Sequence, residues 1–282
     1  MWVYLQNKFV ASEKAKISVF DYGFLFGDGL FETLRSYSGK IFRLPEHLDR
    51  LAHGASRLEL SLPSTQVLTR LLYETLQRNR LDDALLRLTI SRGEGGPGLD
   101  PAPTTTPTLV ISARAFGGYP PEYYLNGVSG VIVQIRRNAA ALDPALKSLS
   151  FLNNVLAKLE AKKSGAFEGL FLNLDGFLCE GTVSNLFWIR EEKLRTPSAT
   201  SGILGGITRE VALELARKMK IKVEEGIYPA EDLLAAEEAF LTNTGLELMP
   251  LTQVNGKNVG SGRPGPITCQ LHHAFSEAVR ER

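Results

Sequence analysis

The stretch ALKSLSFLNNVLAKLEAKKSGAFEGLFLNLDGFLCEGTVSNLF, residues 145–187, holds two charged groups whose settings call for a chemical reason, Lys147 and Glu180. Leu149, Leu152, Val155, Leu156 and Leu159 recur at helical spacing, which predicts a helix from about Ser148 or Ser150 to near Gly165. Lys147 then stands at the amino end of that helix. The partial positive charge there, together with burial, would shift the lysine toward its neutral, nucleophilic form. Further on, Asp175-Gly176 favours a two-residue hairpin turn, with Leu174 facing Phe177, Leu172 facing Cys179 and Phe171 facing Glu180. Both faces of that hairpin are mainly apolar, so Glu180 is a carboxylate that needs a cation.

Outward from this stretch, the chain reads as a mixed α+β protein with two domains. The run FGDGLFETLRSYSGKIFRL (26–44) gives a glycine-marked turn and two strands, and FGDG by itself is only a tight loop. Pro45 opens a helix with Leu48, Leu51, Ala55 and Leu58 on one face and Arg50 on the other, where an arginine is ordinarily a solvated charge. A second helix is expected from about Ser64 to Arg80. Ala84 to Ser91 alternates, with Ala84, Leu86, Leu88 and Ile90 inward and Leu85, Arg87 and Thr89 outward, so Arg87 faces either water or a cavity. RGEGGPGLDPAPTTTP (92–107) has the length of a lid or of a connector. Gly117-Gly118-Tyr119-Pro120-Pro121 is the expected linker, dividing a small domain (1–118) from a larger one (119–282). In the second domain GILGGITRE (202–210) feeds a helix whose first N–H groups and Thr208 suit a phosphate, although an ordinary helix start reads the same way. Asn243-Thr244-Gly245 is another polar turn able to donate to an anion.

Composition narrows the function. The 282 residues carry 32 basic and 31 acidic side chains, a formal charge of +1, which gives no electrostatic case for nucleic acid or an anionic membrane surface. Small-molecule chemistry is the expectation. Cys179 and Cys269 stand in no zinc or redox spacing and read as reduced thiols. His47, His53, His272 and His273 show no metal-ligand spacing and read as solvated imidazoles on helices, so no metal is expected. The absence of a signal-like leader or a long apolar run makes a cytoplasmic location the expectation.

Six runs in order, FGDGLFETLR, PEHLDRL, LKSLSFLNNVLAK, EGTVSNLFW, SGILGGITRE and FLTNTGLELMP, resemble the class IV aminotransferase family, the fold-type IV enzymes of pyridoxal 5′-phosphate. The resemblance implies a small N-terminal α/β sandwich domain and a larger C-terminal pseudo-barrel. It implies that Lys147 bonds the cofactor and shuttles the proton, that Glu180 pairs with the pyridine nitrogen, and that Arg50 clamps the phosphate. Ile207, Thr208 and Thr244 match the remaining phosphate donors, Leu204 the side chain packed on the ring, and Ser184 and Asn185 the polar turn beside it. Thr33 is a candidate helper in proton transfer, and Phe26, Phe31, Arg35 and Arg87 are candidates for the substrate side. Within the family the motifs look most like 4-amino-4-deoxychorismate lyase, which eliminates pyruvate to give 4-aminobenzoate. The alternative is an aminotransferase for branched-chain or D-amino acids, although Phe26, Leu85 and Leu152 stand where the branched-chain enzymes have tyrosines. A homodimer with shared active sites is also implied. Outside the family, a non-catalytic binder of phosphorylated small molecules would use the same anion-binding turns.

Overall fold

Alternation decides the first sheet. The computed structural model describes residues 1–100 and 106–280. Six strands, β1 (Trp2–Leu5), β2 (Lys8–Ala11), β3 (Gly29–Tyr37), β4 (Lys40–Ile41), β5 (Ala84–Ser91) and β6 (Thr108–Ala115), form an antiparallel sheet in the order β2-β1-β6-β5-β3-β4. Ala84, Leu86, Leu88 and Ile90 of β5 point with Leu30 and Leu34 of β3 into one core, as the period-two pattern requires. That face is covered by α2 (Leu44–Arg57) and α3 (Thr65–Asn79), which bury Leu48, Leu51, Leu68 and Leu72. Pro45 sits in the first turn of α2, while Ser64 caps α3 through its hydroxyl and Arg80 closes it in the left-handed conformation. A short helix, α1 (Tyr22–Phe26), precedes β3.

The described residues cluster into two units, the first comprising Met1–Gly117 and Leu146–Phe151, the second Gly118–Ala145 and the described residues from Leu152 onward. The return of 146–151 to the first unit is a departure from a single boundary, and it matters because Lys147 lies on it. Its backbone continues the β3 edge: the Phe31 N–H donates to the Lys147 carbonyl and the Leu149 N–H to the Gly29 carbonyl, each at 2.9 Å. Gly29 is required there, since a Cβ would stand 2.4 Å from the Ile90 carbonyl oxygen and 2.8 Å from the Leu149 side chain.

This pairing overturns the expected helix start. Residues held extended against β3 cannot be helical, so α5 runs Leu152–Lys163 and Lys147 is not at its amino end. The dipole argument for a neutral Lys147 therefore fails. The α5 leucines also differ from a core stripe: Leu152, Val155, Leu156 and Leu159 are exposed, while Asn154, Ala157 and Ala161 are buried.

In the second unit α4 (Pro121–Asn126) leads to β7 (Val128–Ile132), and α5 to β8 (Glu168–Leu172) and β9 (Leu178–Gly181). There follow β10 (Asn185–Arg190), β11 (Lys193–Pro197), α6 (Ile207–Lys218), β12 (Lys222–Gly226), α7 (Ala230–Leu234), β13 (Glu238–Asn243), β14 (Glu247–Val254), β15 (Lys257–Asn258) and α8 (Pro266–Arg280). The sheet order is β12-β11-β10-β13-β14-β7-β8-β9, with β15 on β14, and it curls until β9 lies against β10. One core gathers Leu170, Leu172, Leu178, Trp188, Leu241 and Met249; a second gathers Val133, Ala157, Phe171, Cys179 and Ile203. The β8–β9 hairpin keeps the expected register at Leu170–Gly181 but slips by one at Leu172–Leu178. The Asn173 side chain causes the change by accepting from the Asp175 and Phe177 N–H groups, which widens the turn beyond two residues. Among the described residues no helix is long and apolar enough to cross a membrane, and no cluster of His, Cys, Asp or Glu could hold a metal.

Candidate active site

The first unit places its chemistry on both faces of β3. On the helix face, in phase with Leu30 and Leu34, stands Glu32, fully buried. A carboxylate there must be paired, and α2 supplies His47 and Arg50, three residues apart and so on one face of the helix. Arg50 donates from Nε to Oε1 and from Nη2 to Oε2 of Glu32, both at 2.7 Å, and His47 Nδ1 lies 2.8 Å from Oε2. Burial pulls the Glu32 carboxyl upward, but Arg50 and His47 more than offset it and hold it at about 2. Burial also pushes His47 down, so at neutral pH the ring is uncharged and, facing an acceptor-only carboxylate, donates through Nδ1. His47 is thus not the solvated imidazole its helix position suggested.

Arg50, expected as a phosphate clamp, is a fixed guanidinium rather than a surface charge. Neither Glu32 nor His47 was found by sequence reasoning. The available signal was an acid on the inward phase of GLFETL and a histidine one turn before Arg50.

On the other face of β3, Phe31 is a shared platform. The Lys147 ammonium lies 4.7 Å from its ring centre and the Arg87 guanidinium 3.3 Å, with Phe151 edge-on at 5.5 Å. Arg87 pairs in register with Thr33 and contacts the Thr89 hydroxyl at 3.4 Å. Burial lowers Arg87 to about 10, still a cation at neutral pH. No carboxylate among the described residues hydrogen-bonds it. Arg35, on the same face of β3, is buried and stacks over Tyr37 and Phe116 at 4.4 and 5.0 Å. Phe26, on α1, is 43% exposed. Of the 92–107 segment, residues 101–105 lie outside the described residues; its first part is tied down by the Tyr22 hydroxyl, which donates to the Gly96 carbonyl at 2.8 Å.

The second unit builds a separate set around Glu180, 6% exposed at the end of β9. Its Oε1 accepts from Arg137 at 2.5 Å, and its Oε2 from the Leu204 N–H at 2.9 Å and the Asn185 amide at 3.3 Å. Asn185 also donates to the Leu204 carbonyl at 2.8 Å. Gly206 leaves room for this amide, for a Cβ would stand 2.0 Å from the Asn185 side-chain oxygen. Gly206 caps α6 without any side-chain hydrogen bond, leaving the first-turn N–H groups of Ile207 and Thr208 uncapped. The Thr244 turn is braced by Asn243, which accepts from the Gly245 and Leu246 N–H groups. Ser184 does not stand free in its turn: its hydroxyl donates at 3.0 Å to fully buried Glu168, which also takes the Thr182 hydroxyl and the Gly169 N–H. Glu168 and Arg137 are further residues that no sequence spacing marked.

Taken by itself, the second unit offers a carboxylate suited to a ring N–H and a helix start suited to an anion, and the first offers a held arginine and an amine beside an aromatic face. The Amino-transferase class IV family matches residues 29–254. The chain belongs to the class IV aminotransferase family. Its fold is accordingly the fold-type IV of that family, it is an enzyme, and pyridoxal 5′-phosphate is the cofactor of the class. Class IV relatives of two kinds match nearly its whole length. The "Putative branched-chain-amino-acid aminotransferase" of Methanocaldococcus jannaschii is 40% identical, with 98% of this chain and 96% of the relative covered. The aminodeoxychorismate lyase of Bacillus subtilis is 34% identical over 99% of this chain and 94% of the relative. Among solved class IV structures, the T.th. branched-chain amino acid aminotransferase with pyridoxamine 5′-phosphate superposes with a TM-score of 0.95 at 28% identity, covering 100% of this chain and 94% of that one.

Proposed function

We propose that the protein is an aminotransferase that moves an amino group between an amino acid and a 2-oxo acid, with Arg87 holding a substrate carboxylate. The observation that carries this is the Phe31 platform, where the Lys147 amine and a guanidinium that no carboxylate among the described residues hydrogen-bonds share one ring. Both substrates of an aminotransferase bear a carboxylate next to the reacting carbon, so a guanidinium beside the amine is what they need. When bound, pyridoxal phosphate supplies a carbonyl that takes up the amino group and a ring that withdraws electrons from the substrate's α-carbon. Lys147 would bond that cofactor and, as a neutral amine, take the proton from the α-carbon.

Glu180 would keep the ring nitrogen protonated. Arg50, Ile207, Thr208 and Thr244 would hold the phosphate, Leu204 would pack on the ring, and Thr33, in register with Arg87, would assist on the substrate side. The support for joining the two sets of residues is chemical: each supplies what the other lacks for one such cofactor.

The motifs leaned toward the lyase, but the relative with the higher identity carries an aminotransferase name, 40% against 34%. Elimination of pyruvate from aminodeoxychorismate by the same lysine is the second reading, favoured by the Bacillus subtilis relative. A paired assay separates them. Purified enzyme given an amino acid and a 2-oxo acid should exchange the amino group, and given aminodeoxychorismate should release little pyruvate; the reverse ranking overturns the proposal. In the same assay Arg87→Met should raise KM by about tenfold or more, the loss of one charged hydrogen-bonding partner, with a smaller change in kcat. An unchanged KM would remove Arg87 from the substrate.

We further propose a homodimer. The support is apolar surface: Val19, Phe20, Phe24 and Leu25 are exposed in the first unit, and Leu152, Val155, Leu156 and Leu159 line α5 in the second. Light scattering should give twice the 31.0 kDa of one chain, and the mass of a single chain would refute it.

A further inference from the structure

We infer that Arg137 is a positioning residue for the cofactor: it acts through Glu180, keeping that carboxylate charged and turned toward the ring nitrogen before the cofactor arrives. The inference rests on the cofactor assignment proposed above. Glu180 lies where two apolar cores meet the end of β9, and a carboxylate in such a place tends to take up a proton unless a cation holds it ionised. Arg137 is that cation, 2.5 Å from Oε1. It comes from the loop after β7, with its own N–H bonded to the Leu172 carbonyl at 2.9 Å.

The guanidinium is itself fixed. It stacks over Phe171 at 4.5 Å, and its Nη1 donates at 3.2 Å to Asn154, whose amide donates in turn to the Thr182 carbonyl at 2.7 Å. Three elements therefore converge on one arginine whose visible task is to hold one carboxylate oxygen. The other oxygen is oriented by the Leu204 N–H and the Asn185 amide, so the carboxylate plane is set from two sides. A carboxylate so held can accept a ring N–H without reorganising. Without that cation it would take up a proton more readily, and a neutral acid would not keep the pyridine nitrogen charged.

The test measures the dissociation constant of pyridoxal 5′-phosphate by equilibrium dialysis, together with the absorption spectrum of the bound cofactor and the melting temperature of the cofactor-free protein. Arg137→Met should raise the dissociation constant by about tenfold or more, the scale of a hydrogen bond to a charged group, and alter the spectrum. Arg137→Lys, which keeps the charge, should recover most of the affinity. Because Arg137 acts through Glu180, Arg137→Met made in a Glu180→Gln protein should change the constant by less than about twofold. Wild-type affinity in Arg137→Met, or equal losses with and without Glu180, would overturn the inference. So would a lowered melting temperature with unchanged affinity and spectrum. A wild-type protein that takes up no cofactor would overturn the functional proposal as well, whereas a wild type that binds and an Arg137→Met protein that binds equally would overturn this inference alone.

Discussion

Lys147→Ala protein should fold normally, bind pyridoxal phosphate reversibly and lose amino-group transfer by about 10⁴-fold or more, since both the bonding amine and the general base disappear. Folding is spared because the backbone at 147 is held by its carbonyl, which accepts from the Phe31 N–H and is unchanged by the substitution. Borohydride reduction followed by proteolysis and mass measurement should place the cofactor on the peptide containing Lys147 in the wild type. The variant should carry no such label. A variant with near wild-type turnover, or a label found on Lys158 or another lysine, would remove Lys147 from the chemistry. Added small amines should restore part of the proton-transfer rate in the variant by taking the position over Phe31 that the side chain vacates.

Glu180 stood out in the sequence because it is a charge in apolar surroundings, a combination that physical chemistry permits only with a partner, whereas Lys147 stood out by a helix-end argument that the fold does not keep. The β5 alternation and the apolar stripe of α2 were legible for a related reason: a face that must be buried leaves its period in the chain. The α5 stripe shows the limit of that rule. Leu152, Val155, Leu156 and Leu159 have the period of a buried face, yet one chain leaves them exposed, because spacing reports that a face is apolar and not what covers it. The extension of β3 by residues 147–149 was hidden because more than a hundred residues separate the paired segments. The register slip at Leu172 came from one asparagine side chain, which no binary pattern records. Glu32 and His47 were missed for another reason: each is ordinary in its own element, and only the packing of α2 on β3 brings them together.

That packed cluster gives the second large effect. Glu32→Gln should destabilise the protein by about 3–5 kcal/mol, the cost of breaking a buried charge pair from one side, because part-buried Arg50 and buried His47 lose the carboxylate that accepts from both. Urea unfolding at neutral pH measures it. The same substitution should change the pH dependence in a definite direction. In the folded protein Glu32 is lowered to about 2 from its usual 4.5, so its contribution is fully present above about 4.5 and is lost as pH falls through 2. Wild-type stability should therefore drop by a few kcal/mol more than that of Glu32→Gln over this window. Equal slopes would mean that Glu32 is not held ionised by Arg50. A second substitution separates architecture from function. Glu32→Gln combined with Arg50→Met removes both charges and should regain much of the lost stability, since no buried charge is left alone. It should not regain pyridoxal phosphate affinity, because the guanidinium proposed to hold the phosphate is gone. Recovery of both would show that Arg50 serves only the packing of α2 on β3; recovery of stability alone is the result expected of an arginine that Glu32 holds in place for a phosphate.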